Sequence, residues 1–265
     1  MSRADSVEFL GLPFATLDMP AVIARCLEWC TGPRRTHILV TANASHLCMM
    51  RADPALNSAC AGGDMVVADG MSVVWALRAL GTPVPERVAG VDLMSGLLEA
   101  AGRHKLRVYF LGARSEVVEK LASSCVGKFP GLEIAGYRDG YFGAADHERI
   151  ATEIAACQPH LLFIGMPSPF KEIWAERYRH VLQVPLIIGV GGSFDVLAGY
   201  IRRAPRAFQI LGMEWAWRLL MEPRKLWKRY LTTNSQFLWL TAREMRARRF
   251  RQKDRQRDPV SDTSR

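Results

Sequence analysis

Ala61-Gly-Gly-Asp-Met-Val-Val-Ala-Asp-Gly70 is the stretch from which the fold is read. Met65 to Val67 are short apolar residues without alternation, the texture of a strand buried on both faces in a parallel sheet. Asp69 and Gly70 follow at once. The carboxyl end of such a strand is where a polar side chain emerges into a crevice. Glycine there permits a tight turn, or close approach of a ligand to the backbone. Met71 to Leu80 then reads as a helix. A carboxylate so placed has a low-dielectric sheet behind it and substrate in front, which suits a general base. The plainer alternative is that Asp69 caps the helix beginning near Met71.

The same texture extends in both directions. Upstream, Val7–Phe14 predicts a first strand, Met19–Cys30 a helix with Pro20 tolerated in its first turn, and His37–Asn43 a strand that turns polar at its end. Ala44–Cys60 predicts helix broken at Pro54. Downstream, Thr82–Arg87 is a Pro-rich loop and Val91–His104 a helix. Strands at Arg107–Gly112, Leu132–Tyr137, His160–Gly165 and Val184–Val190 alternate with helices after Ser115, which is expected to cap the first of them, and over Asp146–Cys157 and Ser168–His180. Strand–helix alternation predicts a Rossmann-like α/β fold: a doubly wound, mainly parallel sheet. After a loop at Gly191–Asp195 the texture changes. Ile210–Met221 and Trp227–Leu240 predict two helices in which Trp, Leu and Phe alternate with Arg and Lys. The expected division is a catalytic domain over 1–205, a basic helical appendage over 206–252, and a polar segment without fixed structure over 253–265.

Composition narrows the function classes. At 265 residues, 49% hydrophobic and 23% charged, the chain is an ordinary globular protein with a sizeable core. No apolar run is long enough to span a bilayer and the amino terminus has no signal-peptide core, so the expected location is cytoplasmic. The six cysteines form no CxxC pair and are expected to be buried thiols in a reducing compartment. The net charge is +9, but Arg224–Arg257 holds 12 Lys or Arg against 2 Asp or Glu, so the remainder sums to −1. Such a segment seeks phosphate, on nucleic acid, on anionic lipid or on a diphosphate-bearing substrate.

Four strand ends carry polar or glycine signals: Thr41-Ala-Asn43, Asp69-Gly70, Gly165-Met-Pro167 and Gly189-Val-Gly-Gly192. Thr41 and Asn43, two apart, face the same side of an extended segment, although turn formation and helix capping explain them equally well. Gly189–Gly192 lacks the GxGxxG spacing of a dinucleotide loop, since the third glycine would fall at Phe194. Gly191 and Gly192 are better read as allowing a phosphate or ribose to approach the backbone, with Asp195 accepting from ribose hydroxyls. No two aspartates lie two positions apart, so no DxD motif chelates a metal-bound diphosphate. No metal and no cofactor is expected, and a leaving diphosphate would be neutralised by arginines, lysines and helix N-termini.

In order along the chain stand Thr41-x-Asn43, Ala68-Asp69-Gly70, Arg87-Val-Ala-Gly-Val-Asp92, Gly189-Val-Gly-Gly-Ser-Phe-Asp195, Arg203-Ala-Pro205, Gly212-Met-Glu-Trp-Ala-Trp-Arg218 and Glu222-Pro-Arg224. This series resembles the WecG/TagA/CpsF family of bacterial glycosyltransferases from about Val7 to Tyr230. The resemblance implies inverting transfer of a sugar from a UDP-sugar to a lipid-diphosphate-linked sugar at the inner face of the cytoplasmic membrane. It implies Asp69 as base, Thr41, Asn43 and Arg87 in the catalytic and acceptor pocket, Asp195 against the nucleotide, and a C-terminal segment with Arg218 closing over the site. Arg224 is expected among the diphosphate-binding cations. One departure stands out: the family commonly reads Gly-Ala-Pro-x-Gln-Glu where this chain has Pro167-Ser-Pro-Phe-Lys-Glu172. Lys171 takes the place of glutamine among the expected substrate contacts, losing an acceptor and gaining a charge. N-acetylmannosamine, its uronic acid and glucose remain open as donor sugars. The basic aromatic tail is expected on the membrane surface, nucleic acid is not expected as a partner, and a homo-oligomer stays open. The competing readings are a non-catalytic lipid- or nucleic-acid-binding module, which has no need of Asp69, and a nucleotide-dependent oxidoreductase, which lacks its glycine loop after the first strand.

Overall fold

The structure, a computed structural model, describes residues 6–210, 212–221 and 223–257, with the side chains of several residues of the C-terminal helices left outside the description. The strands are β1 (Ser6–Phe9), β2 (Leu12–Ala15), β3 (His37–Ala42), β4 (Met65–Ala68), β5 (Arg107–Gly112), β6 (Glu133–Arg138), β7 (Leu161–Gly165) and β8 (Leu186–Gly189). They form one sheet in the order β1-β2-β4-β3-β8-β7-β5-β6. All neighbours pair in parallel except β1 with β2. The expected doubly wound, mainly parallel sheet is therefore present.

Helices cover both faces. One core packs α2 (Ala44–Ala52), α3 (Pro54–Ala61), α4 (Met71–Ala79), α7 (His147–Ala156) and α8 (Phe170–Leu182) on the sheet. The other packs α1 (Met19–Thr31), α5 (Gly90–Arg103), α6 (Ser115–Lys128) and the short α9 (Ser193–Leu197). Because both faces are covered, β4 is buried at every position, which is why its sequence shows no alternation. β3 and β8 lie side by side in the middle. The chain leaves β3 towards β4 on one side and reaches β8 from β7 on the other, so its direction of progress reverses between them. Ligands bind beyond the carboxyl ends of the strands at such a reversal.

Several local expectations are corrected. Val7–Phe14 is a hairpin and not one strand: Leu10 and Gly11 both take positive φ, 50° and 85°, as a two-residue primed turn requires. Ser115 does not cap α6; its hydroxyl donates to Glu119 one turn on, and Arg114 holds the cap position. Gly191–Asp195 is a loop only at its start, since Ser193 already begins α9. Five cysteines are buried, but Cys157 is partly exposed. Burial raises the Cys30 and Cys60 thiols to about 12, so both stay protonated.

The C-terminal segment forms α10 (Arg206–Ile210), α11 (Glu214–Met221) and the long α12 (Pro223–Arg257). α12 runs through the ends predicted for the second helix, because Thr241–Arg257 is rich in Ala, Arg, Gln and Lys, good helix formers with no Gly or Pro among them. Of the segment expected to lack structure, Lys253–Arg257 continue α12, and residues 258–265 lie outside the described residues. α12 rests on α2, and Phe237 and Leu240, 4% and 2% exposed, belong to the main core. The Phe237 ring meets Phe9 edge-on at 6.4 Å. Arg248 donates to the Glu8 carbonyl on the edge strand. No helix among the described residues is long and apolar enough to cross a membrane.

Candidate active site

Asp69 stands one residue beyond β4, half-buried. Its N–H donates to the Ala42 carbonyl at 3.0 Å, extending the β3–β4 ladder by one bond. The chain returns beside it, with Val88 N–H donating to the Ala68 carbonyl at 2.9 Å. The Gly90 N–H, at the first residue of α5, then donates to Asp69 Oδ1 at 2.9 Å. Capping therefore exists, but of α5 and not of α4, which begins after Gly70 without a side-chain cap. The Asp69 carboxylate thus lies against the amino-terminal end of α5. A Cβ built on Gly90 would stand 3.9 Å from Asp69 Oδ2, 3.8 Å from the Thr41 methyl and 3.9 Å from Ser193 Oγ. The ends of β3 and β4, the start of α5 and the start of α9 thus share one corner.

Thr41 is buried and donates to the Gly189 carbonyl at 3.0 Å, joining β3 to β8 at their carboxyl ends. Asn43 caps α2, its Oδ1 accepting from the His46 N–H at 3.1 Å. It also lies against the turn after Asp69: its Cβ is 3.4 Å from where a Gly70 Cβ would be. Both residues therefore have structural duties as well as a place beside Asp69. Gly191 has φ +52°, and a Cβ on Gly191 or Gly192 would meet nothing within 4 Å. That loop opens outward, where a ligand can reach the backbone. Asp195 lies half-buried in the first turn of α9.

Lys171 is not poised over an open pocket. It is buried, with its stem where a Gly189 Cβ would be and its ammonium group bonded to Ser168 and Glu172. Glu172 is buried too and lies 3.4 Å from His46 Nε2. His46 Nδ1 is 3.3 Å from the Thr41 carbonyl and Nε2 is 3.4 Å from the Cys60 thiol. Burial lowers the His46 pKa against the opposing pull of Glu172. The imidazole is then neutral at pH 7, with Nδ1 donating to Thr41 and Nε2 accepting from Cys60. Sequence reading gave His46 and Glu172 no role: Glu172 was quoted only as the end of the Pro167–Glu172 stretch, and His46 had no signal beyond its polarity in α2.

Arg87 follows the Pro-rich loop and donates to Glu214 of α11 at 2.7 Å. Arg203 makes a bidentate pair with Asp92 in the first turn of α5, at 2.6 and 2.5 Å, and its second carboxylate contact is Glu214 at 3.5 Å. These carboxylates, Asp92 foremost, hold the Arg203 pKa above its ordinary value. Gly212, at φ +70°, seats against Met71; a Cβ there would fall 2.3 Å from the Met71 Cγ. The C-terminal segment therefore crosses the carboxyl end of β4. Arg218 sits in α11 and Arg224 in the first turn of α12, and their side chains lie outside the described residues. Among the described residues no group of three His, Cys, Asp or Glu gathers in a metal-binding arrangement.

A carboxylate held by a helix N-terminus at the carboxyl end of a parallel strand can deprotonate a hydroxyl. The profile of the Glycosyl transferase WecG/TagA/CpsF family matches residues 7–251. An N-acetylglucosaminyldiphosphoundecaprenol N-acetyl-beta-D-mannosaminyltransferase from Bacillus spizizenii strain W23 is 37% identical over 194 residues, 73% of this chain and 74% of that protein. A protein of the same name from Bacillus subtilis strain 168 is 35% identical over 169 residues, 64% of this chain and 65% of that protein.

Proposed function

This chain belongs to the WecG/TagA/CpsF family and is a glycosyltransferase, and from that premise we propose that it moves a sugar from a UDP-sugar to a sugar carried on undecaprenyl diphosphate, with inversion and without a metal ion. Family membership leaves the oxidoreductase and the non-catalytic module without support. The observation that carries the reading is the Asp69 carboxylate, fixed by the Gly90 N–H at the carboxyl end of β4 beside Thr41 and the open Gly191–Gly192 loop.

Asp69 takes the proton of the acceptor hydroxyl as that oxygen bonds to the anomeric carbon. The bond from that carbon to the diphosphate oxygen breaks on the opposite face, and UDP leaves with the electron pair. Arg87, Arg218 and Arg224 are assigned to the diphosphate charge, Asp195 to the nucleoside, and Lys171 to the floor under the glycine loop. Charge held by preplaced cations costs no reorganisation during the reaction. The sequence offers no acidic pair of the kind that holds Mg²⁺ in diphosphate sites, which supports a metal-free mechanism. The relatives' names favour N-acetylmannosamine as the donor sugar and an N-acetylglucosaminyl lipid as acceptor. Such a product belongs to cell-surface polysaccharide assembly.

A lipid-linked acceptor brings the enzyme to the cytoplasmic membrane. Supporting this, Leu220, Trp227, Leu238 and Trp239 are exposed on the C-terminal helices beside the basic excess. Trp227 and Leu238, about three helical turns apart, share a face, and aromatic rings with basic neighbours favour an anionic interface. The proposal is tested by incubating the protein with UDP-N-acetylmannosamine, its uronic acid and UDP-glucose, each with a short-chain N-acetylglucosaminyl lipid diphosphate and EDTA. One product is expected, of the acceptor mass plus one residue of the donor's sugar. No product with any donor, or product only after Mg²⁺ is restored, refutes the corresponding part. Leu238→Gln with Trp239→Gln should weaken sedimentation with anionic vesicles; unchanged sedimentation refutes the membrane assignment.

A further inference from the structure

We propose that Glu214 is a positioning residue: it fixes the Arg87 guanidinium at the mouth of the site and, with Arg203 and Asp92, fastens the C-terminal helices to the segment that holds Asp69. The part concerning turnover rests on the glycosyltransferase mechanism above; the fastening does not.

The segment Glu86–Asp92 carries four constraints within seven residues. Glu86 accepts from the Met19 N–H, Val88 donates to the end of β4, Gly90 donates to Asp69, and Asp92 binds Arg203. Arg87, the one cation in it, reaches across 127 positions of sequence to Glu214. The Glu214 carboxylate gives a different oxygen to each arginine, Oε2 to Arg87 and Oε1 to Arg203. The Arg87 bond is short, at 2.7 Å, whereas Arg203 is oriented by its bidentate pair with Asp92 and touches Glu214 only at 3.5 Å. Arg87 and Glu214 are 13% and 24% exposed, so solvent screens this pair far less than a surface bridge. The seat of Gly212 against Met71, two residues beyond Asp69 in the chain, is a second contact of the C-terminal segment. The C-terminal segment therefore touches the residues that follow β4 and the segment that returns beside it. With α11 unseated, Arg87 has a long flexible side chain and no oriented charge to offer a diphosphate.

The test uses the full chain and four variants: Glu214→Ala, Glu214→Gln, Asp92→Asn, and the exchange Arg87→Glu with Glu214→Arg. Hydrogen exchange of the α11 amides reads the fastening without any substrate. Glu214→Ala is expected to speed that exchange about tenfold or more while β4 and β8 stay protected. Its kcat should fall about 10- to 100-fold with donor KM changed less than about threefold, the split expected when an interaction used in the transition state is lost. Glu214→Gln, whose amide oxygen still accepts from Arg87, should retain an intermediate kcat. Asp92→Asn should loosen α11 less than Glu214→Ala. The exchanged pair should restore slow exchange only in part, because the new guanidinium at position 214 stands beside Arg203, and should not restore kcat, because the cation has moved to the other side. Parental exchange in Glu214→Ala overturns the fastening. Parental kcat in that variant, or full kcat in the exchanged pair, overturns the positioning of Arg87. If the parent chain transfers no sugar at all, the mechanism fails while the exchange data still decide the fastening.

Discussion

Replacing Asp69 with asparagine separates the chemistry from the Gly90 bond, because that bond survives the change. Asn Oδ1 accepts from the Gly90 N–H just as the carboxylate does across 2.9 Å. At that bond the loss in stability is the difference between a charged and a neutral acceptor, about 1 kcal/mol. In a chain of 265 residues that shifts Tm by about 2 °C. What is lost in chemistry is the proton acceptor, expected to lower kcat about 100- to 10,000-fold, or roughly 3 to 5 kcal/mol of barrier. The barrier term is thus several times the stability term, and a melting curve alongside a rate measurement resolves the two. Asp69→Ala supplies the contrast. It leaves the Gly90 N–H without that acceptor, at about 1 to 3 kcal/mol, and should melt lower than Asn while transferring no better. UDP release would be followed with lipid acceptor in excess, and UDP affinity by titration, where Asn should match the parent. Turnover within about threefold of the parent in Asp69→Asn refutes the base and leaves Asp69 as a cap of α5.

Two further outcomes follow from buried groups. Lys171→Met strips the counter-charge from a buried carboxylate and should cost about 3 to 5 kcal/mol, and adding Glu172→Gln should recover most of it. The Lys171 charge also lowers the His46 pKa. Without it His46 takes a proton more readily in the folded state, an interaction present at low pH and lost as pH rises through the folded-state pKa. The Tm deficit of Lys171→Met should therefore narrow as pH falls below the ordinary histidine value of 6.5, and a deficit that widens on acidification refutes this. Phe237→Ala opens the core under α12 and should cost about 3 to 5 kcal/mol by denaturant titration; a loss within experimental error would mean that α12 rests on the body without contributing to its core.

The sheet was legible because burying β3, β4, β5, β7 and β8 on both faces writes near-continuous apolar runs into the sequence, and each run stops at a polar residue or glycine. Asp69 stood out as a polar strand end for the same reason. The Leu10-Gly11 turn was not, because leucine at positive φ is a choice that only the closed hairpin enforces. Asn43 and Thr41 were visible as polar strand ends, yet the cap on α2 and the bond to Gly189 depend on a neighbouring helix and strand that no spacing reveals. Glu214 was quoted within a motif but given no role. Its partner Arg87 lies 127 positions away, beyond any helical or strand period. The aromatics alternating with bases over Trp227–Leu240 were expected on the membrane surface, whereas Phe237 and Leu240 turn into the core and Leu238 and Trp239 turn out. Composition alone does not distinguish these two faces.

The departure at Lys171 looks different once its neighbours are known. Read from the sequence, a lysine in place of the usual glutamine adds a positive charge to the substrate pocket. In the fold that charge is answered within the cluster, for the ammonium bonds Glu172 and Ser168 under the end of β8. A substrate above Gly189 meets a nearly neutral ion pair whose field falls off faster than that of a lone cation. Any effect on donor choice must then pass through shape. The Lys171 stem already fills the space a Gly189 side chain would need, and the Gly189 carbonyl accepts from Thr41. The same cluster reaches the Thr41 carbonyl through His46. A change at residue 171 therefore moves the β3 and β8 ends together, and with them the floor beneath both the acceptor and the glycine loop. Specificity arising this way would respond to side-chain volume at position 171 more than to its charge, so a glutamine and a methionine there should resemble each other in donor preference although they differ in polarity.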